Sequence, residues 1–319
     1  MRLHADQLEL SDQTVAALVA EQLPDLRGAR LSRVPSNGTV NLLRRLGEEL
    51  VLRFPMQGDD ADTVWAELTA EADNARRLLG RLPVRSPEPV LIGEPGHGYP
   101  LPWAVYRWLP GLPASQADLA DSVPFAEQLA SVVLALREID TEGRAFTGER
   151  RGGRLSDHDA SVRRWLGQSH GLIDVPEVEA LWARLARTPR GDAPDTWTHG
   201  DLMPDNLLVQ GGRLSAVIDV GLAGPADPAL DLQPAWNLLR GTARRAFREA
   251  LGVGDAEWDR GKAWALAQAS GCLPYYRVTN PPMSRLAHRT LTALLEEAWH
   301  GSPTRTGHVG GPARSSGRQ

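Results

Sequence analysis

The chain is poor in cysteine, poor in lysine and free of long apolar runs. A single cysteine, Cys272, in 319 residues can close no internal disulfide and supply no Cys-rich zinc site. It suits a reducing compartment. Lys262 is the only lysine; every other basic residue is arginine, which reads as a base-composition bias. No apolar run approaches the roughly 20 residues of a membrane span. Residues 1–30 lack a basic start followed by an apolar stretch, so no secretory signal is expected. Neither charge sign dominates: 40 acidic and 35 basic residues give a net charge of −5 at pH 7. Nothing there calls for nucleic acid, and no acidic block forms a solvating tail. The expectation is a soluble, cytoplasmic protein with neither a nucleic-acid nor a membrane partner.

Hydrophobic residues at 42% and charged residues at 24% are ordinary for a globular enzyme, and the length suits two lobes. Ser11 caps an amphipathic helix that Pro24 stops. Three short β-like runs follow, at 29–34, 40–46 and 49–54, joined by turns at Pro35-Ser36-Asn37-Gly38 and at Gly47. Val64, Leu68, Ala72, Ala75 and Leu79 carry a helical period over 60–79. Residues 90–92 and 103–108 read as further strands. Leu109-Pro110-Gly111-Leu112-Pro113 is the candidate boundary between a first lobe, 1–108, and a mostly helical second lobe, 109–300. Within the latter, helices are expected at 124–138, 157–167, 175–186, 227–240, 242–251, 256–269 and 280–299. A hairpin interrupts them at 206–219, turning at Gln210-Gly211-Gly212-Arg213. Residues 301–319 are Gly, Ser, Arg and Thr with almost no apolar content, a composition that predicts disorder.

The chemistry concentrates in His199-Gly200-Asp201-Leu202-Met203-Pro204-Asp205-Asn206 and, after the hairpin, Val217-Ile218-Asp219. Phosphoryl transfer needs a carboxylate to orient an attacking hydroxyl, and oxygen ligands to hold Mg²⁺ against the phosphates. Asp201 and Asn206 can sit at the two ends of one stiff loop, which Gly200 lets turn and Pro204 fixes in part. The hairpin then brings Asp219 back beside them. A metal hydrolase would need a His/Asp ligand cluster, which His199, Asp201 and Asp205 alone do not make. Ser36-Asn37-Gly38-Thr39 suits a loop over phosphates, where Gly38 admits backbone N–H groups and Ser36 or Thr39 adds a hydroxyl. On its own, it reads as a turn.

These segments resemble the aminoglycoside/macrolide phosphotransferase family, relatives of the protein kinases, over about residues 31–295. Ser36–Asn41, Val51-Leu52-Arg53, Trp103–Gly111, Gly224–Leu232 and Leu273-Pro274-Tyr275-Tyr276 match as well. The resemblance implies an α+β, bilobal, kinase-like fold with a small antiparallel-sheet N-lobe and a larger, mostly helical C-lobe. It implies transfer of a γ-phosphate from ATP or GTP to an alcohol, with Asp201 catalytic, Asn206 and Asp219 on Mg²⁺, and His199 propping the loop. Asp231 would brace the same loop, while Asp227 caps a helix. Arg53 stands where protein kinases carry a phosphate-binding lysine, and keeps the charge with a wider fork of donors. Its partner would be Glu71, with Glu67 one turn earlier as the alternative. Ser36, Asn37, Gly38 and Thr39 would cover the phosphates, and Tyr106, Trp108 and Leu109 would wall the base. Two further positions depart from the family: Val220 follows Asp219 where an aromatic residue is common, and Val40 stands where an acid often does.

For the acceptor, a polycationic aminoglycoside asks for an acidic pocket and a macrolide for an apolar one. The downstream helices hold many aromatic residues and no dense acidic cluster, which favours an aromatic-lined pocket. Two other readings remain: a kinase for a sugar or amino alcohol, and a nucleotide-binding module without catalysis.

Overall fold

The computed structural model describes residues 7–35, 40–58, 60–148 and 150–300. Ser36, Asn37, Gly38, Thr39 and the 301–319 segment lie outside the described residues.

The first hundred residues build one antiparallel sheet with a helix on it. Helix α1 (Asp12–Gln22) begins where the Ser11 hydroxyl accepts the Thr14 N–H, a standard N-cap. Strands β1 (Leu31–Arg33), β2 (Asn41–Leu46) and β3 (Leu50–Pro55) form the expected meander. Helix α2 (Ala61–Leu78) starts at Asp60, whose carboxylate accepts from the backbone of Thr63, and buries Val64, Leu68, Glu71, Ala72, Ala75 and Leu78. Strands β4 (Pro89–Gly93) and β5 (Trp103–Arg107) complete the sheet in the order β1-β2-β3-β5-β4. Buried aromatics lock it. Trp103 stacks on Phe54 at 5.0 Å between ring centroids, and Tyr99 meets Phe54 edge-on at 5.4 Å.

Chain beyond Arg107 is mostly helical. Strand β6 (Leu112–Pro113) lies inside the stretch expected as a boundary, and pairs with β8 (Leu207–Gln210), which pairs with β9 (Arg213–Val217). Arg85 adds a bridge from the first part of the chain: its N–H donates to Ser215 O at 3.1 Å and its carbonyl accepts from Val217 at 3.0 Å. Helices α3 (Val123–Arg137), α4 (Asp159–Gly167) and α5 (Val175–Leu185) come close to the expected bounds. Strand β7 (Thr196–Thr198), which no periodicity announced, pairs antiparallel with β10 (Gly224–Ala226).

Two helical expectations need correction. The 227–240 stretch is not one helix. A 3₁₀ segment at Pro228–Leu232 gives way to a four-residue α6, Pro234–Asn237. Pro228 and Pro234 each lack the N–H an uninterrupted helix needs, so each starts a new short element. The helix expected to end at Ala269 instead continues as α8, Asp255–Tyr275, and carries Pro274 in its last turn. Helix α7 (Gly241–Leu251) packs on α3, and α9 (Pro281–His300) on α8. At Gly261 on α8 a Cβ would come within 2.7 Å of Leu232, so glycine is what lets α8 close on the 3₁₀ segment. Among the described residues, no helix is long and apolar enough to cross a membrane.

Candidate active site

The loop after β7 is held from behind. Asp231, 1% exposed, accepts the His199 N–H at 2.7 Å and the Gly200 N–H at 2.9 Å, one on each carboxylate oxygen. Burial raises this carboxyl above its ordinary range, with His199 and the two N–H groups pulling the other way. The His199 ring is fully buried. Its Nε2 lies 3.1 Å from Ile218 O, and its Nδ1 accepts from the Asp201 N–H at 3.3 Å. That geometry sets the tautomer: Nε2 carries the proton and donates to the carbonyl. One imidazole thereby ties the turn before Asp201 to the residue before Asp219. Gly200 has φ +81, and a Cβ there would sit 2.8 Å from Leu222 O. Only glycine fits this turn.

Asp201 points into a cleft with its side chain 22% exposed. Its Oδ1 accepts from Arg151 Nη2 at 2.9 Å and Gln268 Nε2 at 2.7 Å; its Oδ2 accepts from Asn206 Nδ2 at 3.1 Å. A carboxylate has about four acceptor sites, so three donors leave room for one more hydrogen bond. Asn206 Nδ2 also donates to Asp201 O at 2.9 Å, and Asn206 O accepts the Ile218 N–H at 2.9 Å. Ser115, just beyond β6, donates its hydroxyl to Asp205 in the same loop.

Asp219 is held differently. It lies two residues past the end of β9, at φ +65, and its side chain is 47% exposed. A left-handed conformation at a non-glycine residue is backbone strain of the kind found at functional sites. Its Oδ1 accepts from Arg53 Nη2 at 3.2 Å. Arg53, on β3, also donates through Nη1 to Glu71 on α2. Of the two candidate glutamates, Glu71 is thus the partner of Arg53, while Glu67 is exposed. Burial raises the Glu71 carboxyl, and Arg53 pulls it back. Burial also works against the charge of Arg53, but Glu71 and Asp219 outweigh it and leave the guanidinium firmly protonated. Asn74, one turn after Glu71, donates to Val220 O at 3.2 Å and Ala223 O at 2.9 Å. Helix α2 therefore anchors the chain that follows Asp219.

The other expected residues have the following surroundings. Tyr106 is 3% exposed, with Arg53 5.4 Å above its ring centroid, and burial pushes its phenol up. Trp108 is half-buried under Arg45 at 4.7 Å, and its backbone N–H donates to Glu49 O at 2.6 Å. Leu109 is half-buried. Asp227 caps the 3₁₀ segment through Ala229 N–H and also receives Arg260 and the Trp264 indole.

Four residues at the site carried no sequence signal. Arg151 and Gln268 touch Asp201, Gln233 Oε1 accepts from Arg151 Nη1 at 3.2 Å, and Asn74 holds the Asp219 loop. Arg151 sits in Arg150-Arg151-Gly152-Gly153-Arg154, which reads as any polar loop. The lone lysine lies elsewhere: Lys262 pairs with Asp259 at 2.9 Å and Glu297 at 3.0 Å.

Among the described residues, no group of three or more His, Cys, Asp or Glu gathers to hold a metal. A divalent cation here would rest on fewer protein ligands. Asn206 turns its NH₂ toward Asp201, which directs Oδ1 away from it, and Asp219 is half-exposed with its Oδ1 toward Arg53. An amide oxygen and a carboxylate oxygen suit Mg²⁺, which prefers hard oxygens and keeps several waters.

Several known proteins share this architecture. An aminoglycoside 2'-phosphotransferase-IIIa solved as a GDP complex superposes with a TM-score of 0.66 at 19% identity, covering 91% of this chain and 100% of that one. A macrolide 2'-phosphotransferase from Brachybacterium faecium gives a TM-score of 0.57 at 21% identity, over 88% of this chain and 98% of that one. In sequence, an aminoglycoside 3'-phosphotransferase of Escherichia coli is 34% identical over 80 residues, 22% of this chain and 30% of that protein. A homoserine kinase of Gluconobacter oxydans is 30% identical over 141 residues, 43% of this chain and 42% of that protein. The matched stretches thus span less than half the length of these curated relatives. The phosphotransferase enzyme family model matches residues 31–264, well over half of the chain. With its antiparallel sheet, helical half and kinase-like fold, this chain belongs to the phosphotransferase enzyme family.

Proposed function

We propose that the protein transfers the γ-phosphate of ATP or GTP to a hydroxyl of a small molecule, an antibiotic or related natural product of the macrolide or aminoglycoside kind. The observation that carries this is the convergence of Asp201, Asn206 and Asp219 through one hairpin and one buried histidine. Residues 1–108 would hold the nucleotide, with Tyr106, Trp108 and Leu109 beside the base. Residues 109–300 would carry the loop and the acceptor. A reaction that consumes cellular nucleotide would suit the cytoplasm.

In this reading Asp201 accepts the proton of the acceptor hydroxyl through its remaining acceptor site, while Arg151 and Gln268 fix its orientation. Arg53, braced by Glu71, presents a guanidinium to phosphate oxygens. Asn206 Oδ1 and the Asp219 carboxylate would hold Mg²⁺, which supplies charge neutralisation on the phosphates when bound. Asp231 keeps the loop stationary, so that little reorganisation is left for the reaction. The homoserine kinase match supports a second reading, a kinase for an amino alcohol.

Nucleotide labelled at the γ-phosphate tests the proposal. With an acceptor present, label should appear in the acceptor as a phosphate ester. Label found only in inorganic phosphate, for every hydroxyl compound tried, would refute transfer.

A further inference from the structure

We propose that the acceptor is a hydroxyl compound with a broad apolar or aromatic face and at most one positive charge, and that Arg151 is the residue that turns polycations away. This rests on the phosphotransfer reading above and narrows its acceptor class.

A cavity of about 500 Å³ opens onto Asp201 between α4, α8 and the start of α9. That volume suits a drug-sized ligand. Its walls are Trp165, Tyr275, Tyr276, Met203 and Met283. Trp165 meets Tyr275 edge-on at 6.1 Å, and Tyr275 meets Tyr276 edge-on at 4.8 Å. Such a ladder offers large, stiff apolar area to a ring or a macrocycle. Tyr275 stays 49% exposed, so part of that area faces open space.

The charges point the same way. Among the described residues lining this cavity, Asp201 is the sole carboxylate, and Arg151 already donates to it. A second cavity of about 520 Å³ abuts the first. Its described lining includes Arg150, Arg151, His158 and residues 221–226, and no carboxylate. Arg151 and His158 line both cavities, so Arg151 stands at the seam between them. Burial lowers His158 below its ordinary value; Asp157 pulls it up and Arg151 pushes it further down. A polyamine acceptor would need several carboxylates to replace the water it loses. Here it would meet one that is already paired and a guanidinium beside it. A neutral or singly charged acceptor escapes this penalty and gains the aromatic wall.

The test uses the full chain and binding alone, so it does not depend on turnover. Kanamycin, a polycation, and erythromycin, a macrolide with one amine, are titrated by calorimetry into wild type, Arg151→Glu and Arg151→Gln. Nucleotide binding, measured in each variant, reports that it is folded. Erythromycin should bind wild type at least tenfold more tightly than kanamycin. Arg151→Glu should tighten kanamycin tenfold or more and Arg151→Gln by less, and in each variant kanamycin should gain more than erythromycin does. Kanamycin binding wild type as well as erythromycin overturns the proposal. So does a gain for kanamycin under tenfold in Arg151→Glu, including the case in which wild type binds neither probe. Should Arg151→Glu misfold, failure of Arg151→Gln to tighten kanamycin at all overturns it instead. A protein that passes this test yet transfers no phosphate would refute the phosphotransfer reading and leave the charge selection standing.

Discussion

Two aspartates, Asp201 and Asp219, are held by opposite means. Asp201 takes three side-chain donors, and its loop hangs on the buried pair His199 and Asp231. Asp219 has one cationic anchor, Arg53, sits in a left-handed backbone conformation and is about twice as exposed, 47% against 22%. The first arrangement fixes a direction, which suits the hydroxyl-orienting role proposed for Asp201. The second leaves a half-exposed carboxylate, which suits the metal-binding role proposed for Asp219. Placement by a buried network costs little adjustment on binding; placement by one exposed ion pair can adapt to its ligand.

The sharpest way to break this contrast is to neutralise each aspartate in turn. Asp201→Asn should leave nucleotide affinity within about threefold while turnover falls by roughly a thousandfold, within the range of a lost general base. Asp219→Asn should instead lower Mg²⁺-dependent nucleotide affinity on the order of a hundredfold, as expected when a metal ligand is lost. Calorimetry with and without Mg²⁺ reads both. If the two variants behave alike, the division of labour is wrong.

Next in size is the brace. Asp231→Ala strands two buried N–H groups that now meet a carboxylate. At about 1.5–3 kcal/mol for each bond to a charged group, the variant should lose about 3–6 kcal/mol in urea unfolding. An unchanged midpoint would mean that the loop finds other partners.

Arg53→Lys should cost about tenfold in turnover and little in stability. A lysine keeps the charge but lacks the planar fork that now reaches Glu71 and Asp219 together. Activity equal to wild type would show that a point charge suffices there.

The smallest expected effect lies far from the cleft, at Glu297. Burial pushes this carboxyl up, but Lys262 and the indole N–H groups of Trp236 and Trp258 outweigh it and hold it below its ordinary 4.5. A depressed carboxyl stabilises the fold above its unfolded value and loses that contribution as pH falls through the folded one. Glu297→Gln should therefore flatten the acid limb of a stability–pH curve below about pH 4.5, while the limb above neutrality keeps its shape. Melting temperatures across pH check this.

The parts of the molecule legible in the sequence are those governed by local rules. Helix α2 announces itself through Asp60 and its spaced apolar residues, and the β8–β9 turn through Gly211 and Gly212. Asp201, Asn206 and Asp219 are within twenty residues of one another, so their residue types and spacing together suggest shared chemistry. Where a side chain reaches across the fold, the sequence is silent. Arg151 and Gln268 meet Asp201 from 50 and 67 residues away. The 227–240 stretch looked helical because its apolar spacing is helical, yet Pro228 and Pro234 cut it. The short partners β7 and β10 have too few residues for any period to show, and only their pairing defines them.

The account depends most on Asp201. The direct measurement is nucleoside diphosphate release with Mg²⁺ and ATP or GTP, across macrolides, aminoglycosides and simple alcohols, in wild type and Asp201→Asn. The account predicts acceptor-dependent release in wild type that disappears in the variant. Release equal in the two proteins would contradict it.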